Sequence, residues 1–186
     1  MQAIDSGVFW VTGLSGAGKT TVANALRDRL VRTGRPTVLL DGDRMRAVLD
    51  AERDHHPAAR RRLAFIYARL CREIAGQGLT VVCATISMFH DVRRWNRLNI
   101  PGYHEVWLRV PREELVRRDA KGIYAAAASG SGTPVVGVHT EPEEPQTPDL
   151  VIDNFGTLTV DMAVEEIWRS FFPASIDETG ATERED

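Results

Sequence analysis

Gly13-Leu-Ser-Gly-Ala-Gly-Lys-Thr20 lies between an apolar run, Gly7–Thr12, and a stretch where Val22, Ala23, Leu26, Leu30 and Val31 recur at helical spacing. The run before it is rich in β-formers and reads as a buried strand. The stretch after it carries arginines on its other face and reads as an amphipathic helix closing near Gly34. Strand, glycine-rich turn and helix in that order define a phosphate-binding loop. Its glycines let successive backbone N–H groups turn toward one centre, and the helix N-terminus adds its positive end. Gly13, Ser15, Gly16, Ala17, Gly18 and Thr21 would then surround the phosphates of ATP or GTP. Lys19 would reach the β- and γ-phosphates, and the Thr20 hydroxyl would sit on Mg2+.

Outward from this loop the chain alternates strands with helices. Thr37–Leu40 is a second buried strand, Leu79–Thr85 a third, Glu105–Val110 a fourth and Leu150–Ile152 a short fifth. Pro57 opens a long helix through about Ala75, with Leu63, Ile66, Leu70, Cys71 and Ile74 inward. Pro111 is placed at the first position of another helix, where its missing N–H costs nothing, and a last helix runs from about Leu158 to Phe171. This order predicts a three-layer α/β/α sandwich around a mainly parallel five-stranded sheet. Ala125–Pro148 is long, rich in small residues and acidic at its end, which suggests a mobile lid over about 118–148. The expected organisation is one domain over 1–173 followed by an acidic, disordered tail over 174–186.

The second strand ends in Leu40-Asp41-Gly42-Asp43-Arg44-Met45-Arg46, placing two carboxylates where open α/β sheets bind ligands. Alone this would read as an Asp-Gly turn. Beside a phosphate loop, a carboxylate is wanted to accept a hydroxyl proton, and the waters of Mg2+ need acceptors. Arg46 suits an anionic acceptor.

Composition narrows the class but does not choose the chemistry. The 186 residues are 43% hydrophobic and 26% charged, near the average for globular domains, which excludes collagenous, disulfide-stapled and wholly disordered chains. No apolar run is long enough for a membrane span, and the first ten residues do not have the pattern of a signal peptide. Cys71 and Cys83 fall in apolar segments and read as reduced core thiols of a cytoplasmic protein. The net charge of −3 is unevenly spread: the tail from Ala174 and the stretch His139–Asp149 carry −4 each, leaving +5 for the remainder. That surplus suits a phosphorylated substrate as well as it suits nucleic acid. Arg60-Arg61-Arg62 with Arg69 and Arg72 reads as the solvated face of an amphipathic helix rather than a nucleic-acid stripe. Trp107 and Trp168 are expected in the core and Phe89 in packing. Trp95 and Arg97 are placed either at the acceptor pocket or, for the tryptophan, under the sheet.

Taken together, GLSGAGKTT (13–21), LDGDRMR (40–46), ISMF (86–89), RDAKGIY (118–124), the lid residues Gly137, Glu143 and Pro145, and PDLVID (148–153) resemble the adenylylsulfate kinases. The resemblance runs from about Phe9 to Asn154. It implies a MgATP-dependent phosphotransferase acting on the ribose 3′-hydroxyl of a 5′-modified nucleotide. Lys19 would be catalytic, Asp43 would be the base near the acceptor hydroxyl, and Asp41 with Thr20 would lie on the metal side. Arg46, Arg60, Ile86, Ser87 and Met88 would bind the acceptor, and Arg118 and Lys121 would begin a lid over ATP.

Several positions depart from that pattern. Asp54-His55-His56 and Val135-Val136-Gly137 stand where the family carries the two phenylalanines that sandwich the acceptor base. Leu63 replaces an asparagine, Met88 a proline, and Ala125–Ala128 a cationic stretch of the lid. His55 is then expected to offer a smaller stacking face, with Val135 and Val136 opposite. ISMF, Trp95-Asn96-Arg97, VVG and EEP together resemble more closely a divergent branch that includes the cytidine diphosphoramidate kinases. The expected acceptor is therefore cytidine diphosphoramidate-like or adenylylsulfate. A kinase for a non-nucleotide metabolite and a catalytically weak ATP-binding regulator are the alternatives. The expected partners are ATP and the small acceptor, with no nucleic-acid polymer and no membrane, and a homodimer is compatible with the sequence.

Overall fold

Twelve elements are present in a computed structural model that describes residues 6–51, 56–119, 122–129 and 135–172. In chain order they are β1 (Val8–Thr12), α1 (Lys19–Arg32), β2 (Thr37–Asp41), α2 (Gly42–Val48), α3 (Pro57–Gly76), β3 (Thr80–Ala84), α4 (His90–Asn99), β4 (Tyr103–Arg109), α5 (Arg112–Arg118), α6 (Ile123–Ala128), β5 (Leu150–Asp153) and α7 (Val160–Phe171). The five strands form one sheet in the order β2-β3-β1-β4-β5, and every ladder is parallel. The three-layer sandwich expected from the sequence is therefore present.

Alternation along β1 shows why both faces must be covered. Phe9 and Val11 enter a cluster with Leu26 and Leu30 of α1 and Ala163, Val164 and Ile167 of α7. Val8 and Trp10 point the other way, into a cluster with Leu63, Ala64, Tyr67, Ala68 and Cys71 of α3 and Val92 of α4. A strand buried on both faces reads as a continuous apolar run, and all five residues of β1 are buried. Cys71 and Cys83 are free and buried.

Some local expectations need correction. Val31 is exposed while its neighbour Leu30 is buried, because successive helical residues turn about 100° around the axis. Pro111 caps α5 from outside the helix, in extended conformation (φ −57°, ψ 145°), and Arg112 is the first helical residue. Trp107 is only half-buried under the Arg109 guanidinium, while Trp168 packs against the α1–α7 core beneath Arg29, as expected. Three helices are additions: α2 and α4 in stretches read as connections, and α6 inside the lid. The tail from Pro173 lies outside the described residues.

The end of β1 is packed too tightly for any side chain at residue 13. A Cβ on Gly13 (φ +152°) would stand 2.6 Å from the Leu108 carbonyl oxygen of the neighbouring strand. Backbone cannot move aside as a flexible side chain can. Gly13→Ala is therefore expected to lower the melting temperature by about 3–10 °C, since overpacking costs ~1–3 kcal/mol. A thermal unfolding curve against the parent chain checks this.

Candidate functional site: a phosphate loop beside a charged cleft

The polar residues expected to meet ATP, metal or acceptor and described in the structure lie at or beyond the C-terminal ends of the strands, where parallel sheets bind ligands. Gly16 (φ +80°) and Gly18 (φ +86°) hold the loop after β1 in the left-handed conformation, which glycine adopts without strain. Lys19 opens α1, and its Nζ donates to the Leu14 carbonyl across the loop at 2.7 Å. The first turn of α1 contains no acidic residue, and its N-cap, Gly18, has no side chain to bond the first amides. Those amides suit an external anion.

The loop is braced from outside by Arg118 and by two residues that the sequence reading did not single out for a role, Asn154 and Tyr124. Asn154, just past β5, donates from Nδ2 to the Ala17 carbonyl at 2.8 Å. Arg118 holds the Asn154 carbonyl at 2.9 Å and Glu114 at 2.8 Å. Tyr124 of α6, buried, donates its hydroxyl to the Ser15 carbonyl at 2.9 Å. Arg118 therefore stands at the loop as expected, but it acts on backbone and on Glu114. Lys121 and His55 lie outside the described residues.

Asp41 closes β2 as the buried N-cap of α2, and its Oδ1 accepts from the backbone N–H groups of Asp43 and Arg44 at 3.1 and 3.3 Å. Its Oδ2 accepts from the Thr20 hydroxyl at 2.7 Å. A hydroxyl and a carboxylate beside a phosphate cradle are the hard oxygen donors that Mg2+ takes, usually one or two protein ligands with the rest from phosphate and water. No group of three or more His, Cys, Asp or Glu side chains suited to a metal occurs among the described residues. The donor set fits Mg2+ carried in with a nucleotide.

The two aspartates are thus separated by structure. Asp41 is buried and committed to Thr20 and to the start of α2. Asp43 is exposed and faces a cleft of roughly 360 Å3 that begins at Ser15. Arg46, Arg60, Ile86, Ser87, Met88, Val135 and Val136 all line this cleft, so every described acceptor-side residue expected from the sequence converges there. Desolvation lowers the Arg60 pKa, and repulsion from Arg46 lowers it further. Two guanidiniums lining one cleft suit an anionic ligand there.

Ser87 sits at φ +21°, with its hydroxyl 2.7 Å from that of Thr85, while the Ile86 carbonyl accepts from Thr12 at 2.7 Å. A residue held in sparsely populated backbone space beside a cleft is a common mark of a functional turn. Phe89, Leu63, Tyr67, Ile123, Thr140, Glu141 and Glu143 complete most of the wall. Tyr67 escaped the sequence reading because an inward tyrosine at helical spacing looks like core. Its hydroxyl bonds the Gly42 carbonyl at 3.1 Å, and burial pushes its pKa up to about 12.

Arg97 is a correction. It is committed to Asp149 (3.0 Å) and Glu105 (3.2 Å) at the far end of α4, and it does not line the cleft. Trp95 packs edge-on against Phe65, in the second of its two expected places. Arg61 pairs with Asp91, and Arg62, Arg69 and Arg72 are exposed, consistent with a solvated helix face.

A phosphate loop at one end of the sheet, opening on a second cleft with cations and a carboxylate, defines an ATP-dependent phosphotransferase. The chain belongs to the adenylylsulphate kinase family, whose profile matches residues 5–153. It is 40% identical over 158 residues to an adenylyl-sulfate kinase of Paraburkholderia xenovorans, covering 82% of this chain and 86% of that one. It is 35% identical over 147 residues to the cytidine diphosphoramidate kinase of Campylobacter jejuni, covering 79% and 85%. The fold superimposes on the Mycobacterium tuberculosis APS kinase in complex with AMPPNP and APS with a TM-score of 0.82 at 29% identity, covering 89% of this chain and 97% of that one. No helix among the described residues is long and apolar enough to cross a membrane.

Proposed function

We propose that this protein transfers the γ-phosphoryl group of MgATP to the ribose 3′-hydroxyl of a small 5′-modified nucleotide, either cytidine diphosphoramidate-like or adenylylsulfate. The convergence of Asp43, Arg46, Arg60 and Ser87 on one cleft that starts at the phosphate loop carries the reading. Names of relatives support both acceptors.

In this reading Gly13, Ser15–Gly18 and Thr21 surround the triphosphate of ATP, Lys19 meets its outer phosphates, and Arg118 lies on the ATP side. Thr20 and Asp41 hold Mg2+, which neutralises charge on the phosphate oxygens when bound. Arg46 and Arg60 neutralise the 5′ anion of the acceptor, while Ile86, Ser87 and Met88 form the floor and Val135 and Val136 stand at the base. Asp43 accepts the proton as the O–H bond breaks. The ribose oxygen then bonds the γ-phosphorus, and the bridging P–O bond to ADP breaks. Positioning and charge neutralisation supply most of the rate in such transfers.

The test is ATP consumption with a panel holding adenylylsulfate, cytidine-5′-diphosphate derivatives and non-nucleotide alcohols. Phosphorylation of one of the nucleotides, with the new phosphate at the 3′ position by phosphorus NMR, is the expected result. Turnover of neither nucleotide class removes both named acceptors.

A further inference from the structure

The arm of chain that returns from the lid to the sheet is held by one buried guanidinium. Arg93 of α4 is 4% exposed. Its Nη2 donates to the carbonyls of Glu143 (2.6 Å) and Glu144 (3.1 Å) and meets His90 Nδ1 at 2.8 Å. Its Nε pairs with Glu105 at 3.2 Å, and Glu105 is itself 2% exposed on β4. Beyond the grip on 143–144, the Glu143 carboxylate accepts from the His90 backbone N–H at the start of α4. Arg97 fastens the next stretch through Asp149 and the Thr147 carbonyl.

The same arm supplies wall to the cleft. Thr140, Glu141 and Glu143 line it together with Val135 and Val136, in the same cavity as Arg46 and Arg60. Gly137 N–H bonds the Thr140 carbonyl at 2.8 Å, so 135–140 forms one turn continuous with the arm. Nothing in the charge pattern alone implies this. The acidic run 139–149 gives its backbone and two of its carboxylates to α4 and β4.

We propose that Arg93 is a positioning residue for the acceptor side of the cleft, fixing the lid's return arm to β4 and thereby setting the width between Val135–Glu143 and the Arg46–Arg60 pair. It touches neither substrate. A planar guanidinium holds two carbonyls and a carboxylate at once, which an ammonium cannot copy. The inference rests on the acceptor reading above, and the test separates the two.

Arg93→Lys keeps the charge opposite buried Glu105, so it avoids stranding that carboxylate, but it loses the fork that holds the Glu143 and Glu144 carbonyls through Nη2 while Nε faces Glu105. With whichever acceptor the panel identifies, its acceptor KM is expected to rise at least tenfold, with ATP KM and kcat at saturating acceptor within twofold of the parent. Amide exchange over 139–144 should accelerate while β4 stays protected. His90→Ala, which removes one contact of the guanidinium from a half-buried site, is expected to raise acceptor KM about threefold, and it decides the matter if Arg93→Lys does not fold. Equal rises in both KM values, or unchanged acceptor KM in a folded variant, would overturn the positioning role. Should the parent chain turn over no acceptor, the functional reading fails. The clamp then stands or falls on whether exchange at 139–144 quickens in Arg93→Lys.

Discussion

Lys19→Ala is expected to lower kcat about a thousandfold while the chain stays folded. Removing one preorganised cationic or hydrogen-bonding partner of a developing transition state typically costs two to three decades, and phosphoryl transfer depends on such partners more than on covalent chemistry. Lys19 is half-exposed at the start of α1, with its ammonium on the Leu14 carbonyl. Truncation opens no cavity and leaves that carbonyl to water, so the melting temperature should barely move. The measurement is single-turnover phosphoryl transfer at saturating ATP alongside a thermal melt. Release of phosphate at the parent rate would leave the loop without a catalytic part and favour a nucleotide-binding regulator instead.

Asp43→Asn is the second large effect, with kcat expected to fall by ~10^2–10^4 and ATP affinity unchanged. The carboxamide keeps the shape of the side chain and its place in the first turn of α2, but it cannot take a proton from a hydroxyl. Asp41→Asn is its control. Asp41 holds Thr20 and caps α2, so that variant should lose response to Mg2+ titration and some stability together. A kcat loss in Asp43→Asn accompanied by a shifted Mg2+ dependence would reverse the two roles. Steady-state rates over a Mg2+ series, at fixed free ATP, distinguish the outcomes.

Much of this was legible in residue order because the informative parts are local. A glycine-rich loop between an apolar strand and a helix announces itself, and so do two aspartates after a second strand. The hidden parts are those whose signal is not local. Helix α4 has its buried face built from Val92, Arg93 and Asn96, so two of its three inward residues are polar and the usual amphipathic stripe is broken. Arg93 carries no local signal, and Arg97 reads as a pocket residue, until β4 and the lid's return arm are placed against them. Helix α2 begins at Gly42, a residue that signals a turn, and only the Asp41 cap shows that the chain continues as helix. Asn154 and Tyr124 gain their roles from carbonyls of the phosphate loop more than a hundred residues away. The base side of the cleft is the least legible part. The aromatic clamp expected of relatives is replaced at Val135 and Val136 by aliphatic wall, and a wall's selectivity depends on its position more than on its composition.

The tryptophans have a practical consequence. Trp10 is sealed in the middle of the sheet, Trp95 lies against Phe65, Trp107 under Arg109, and Trp168 between Arg29 and Phe172. None is among the residues lining the cleft. The intrinsic emission of the molecule is therefore a gauge of folding that ligands reach only at a distance. A fluorophore placed at Val136 would face the acceptor directly, against a background that reports only whether the scaffold is intact.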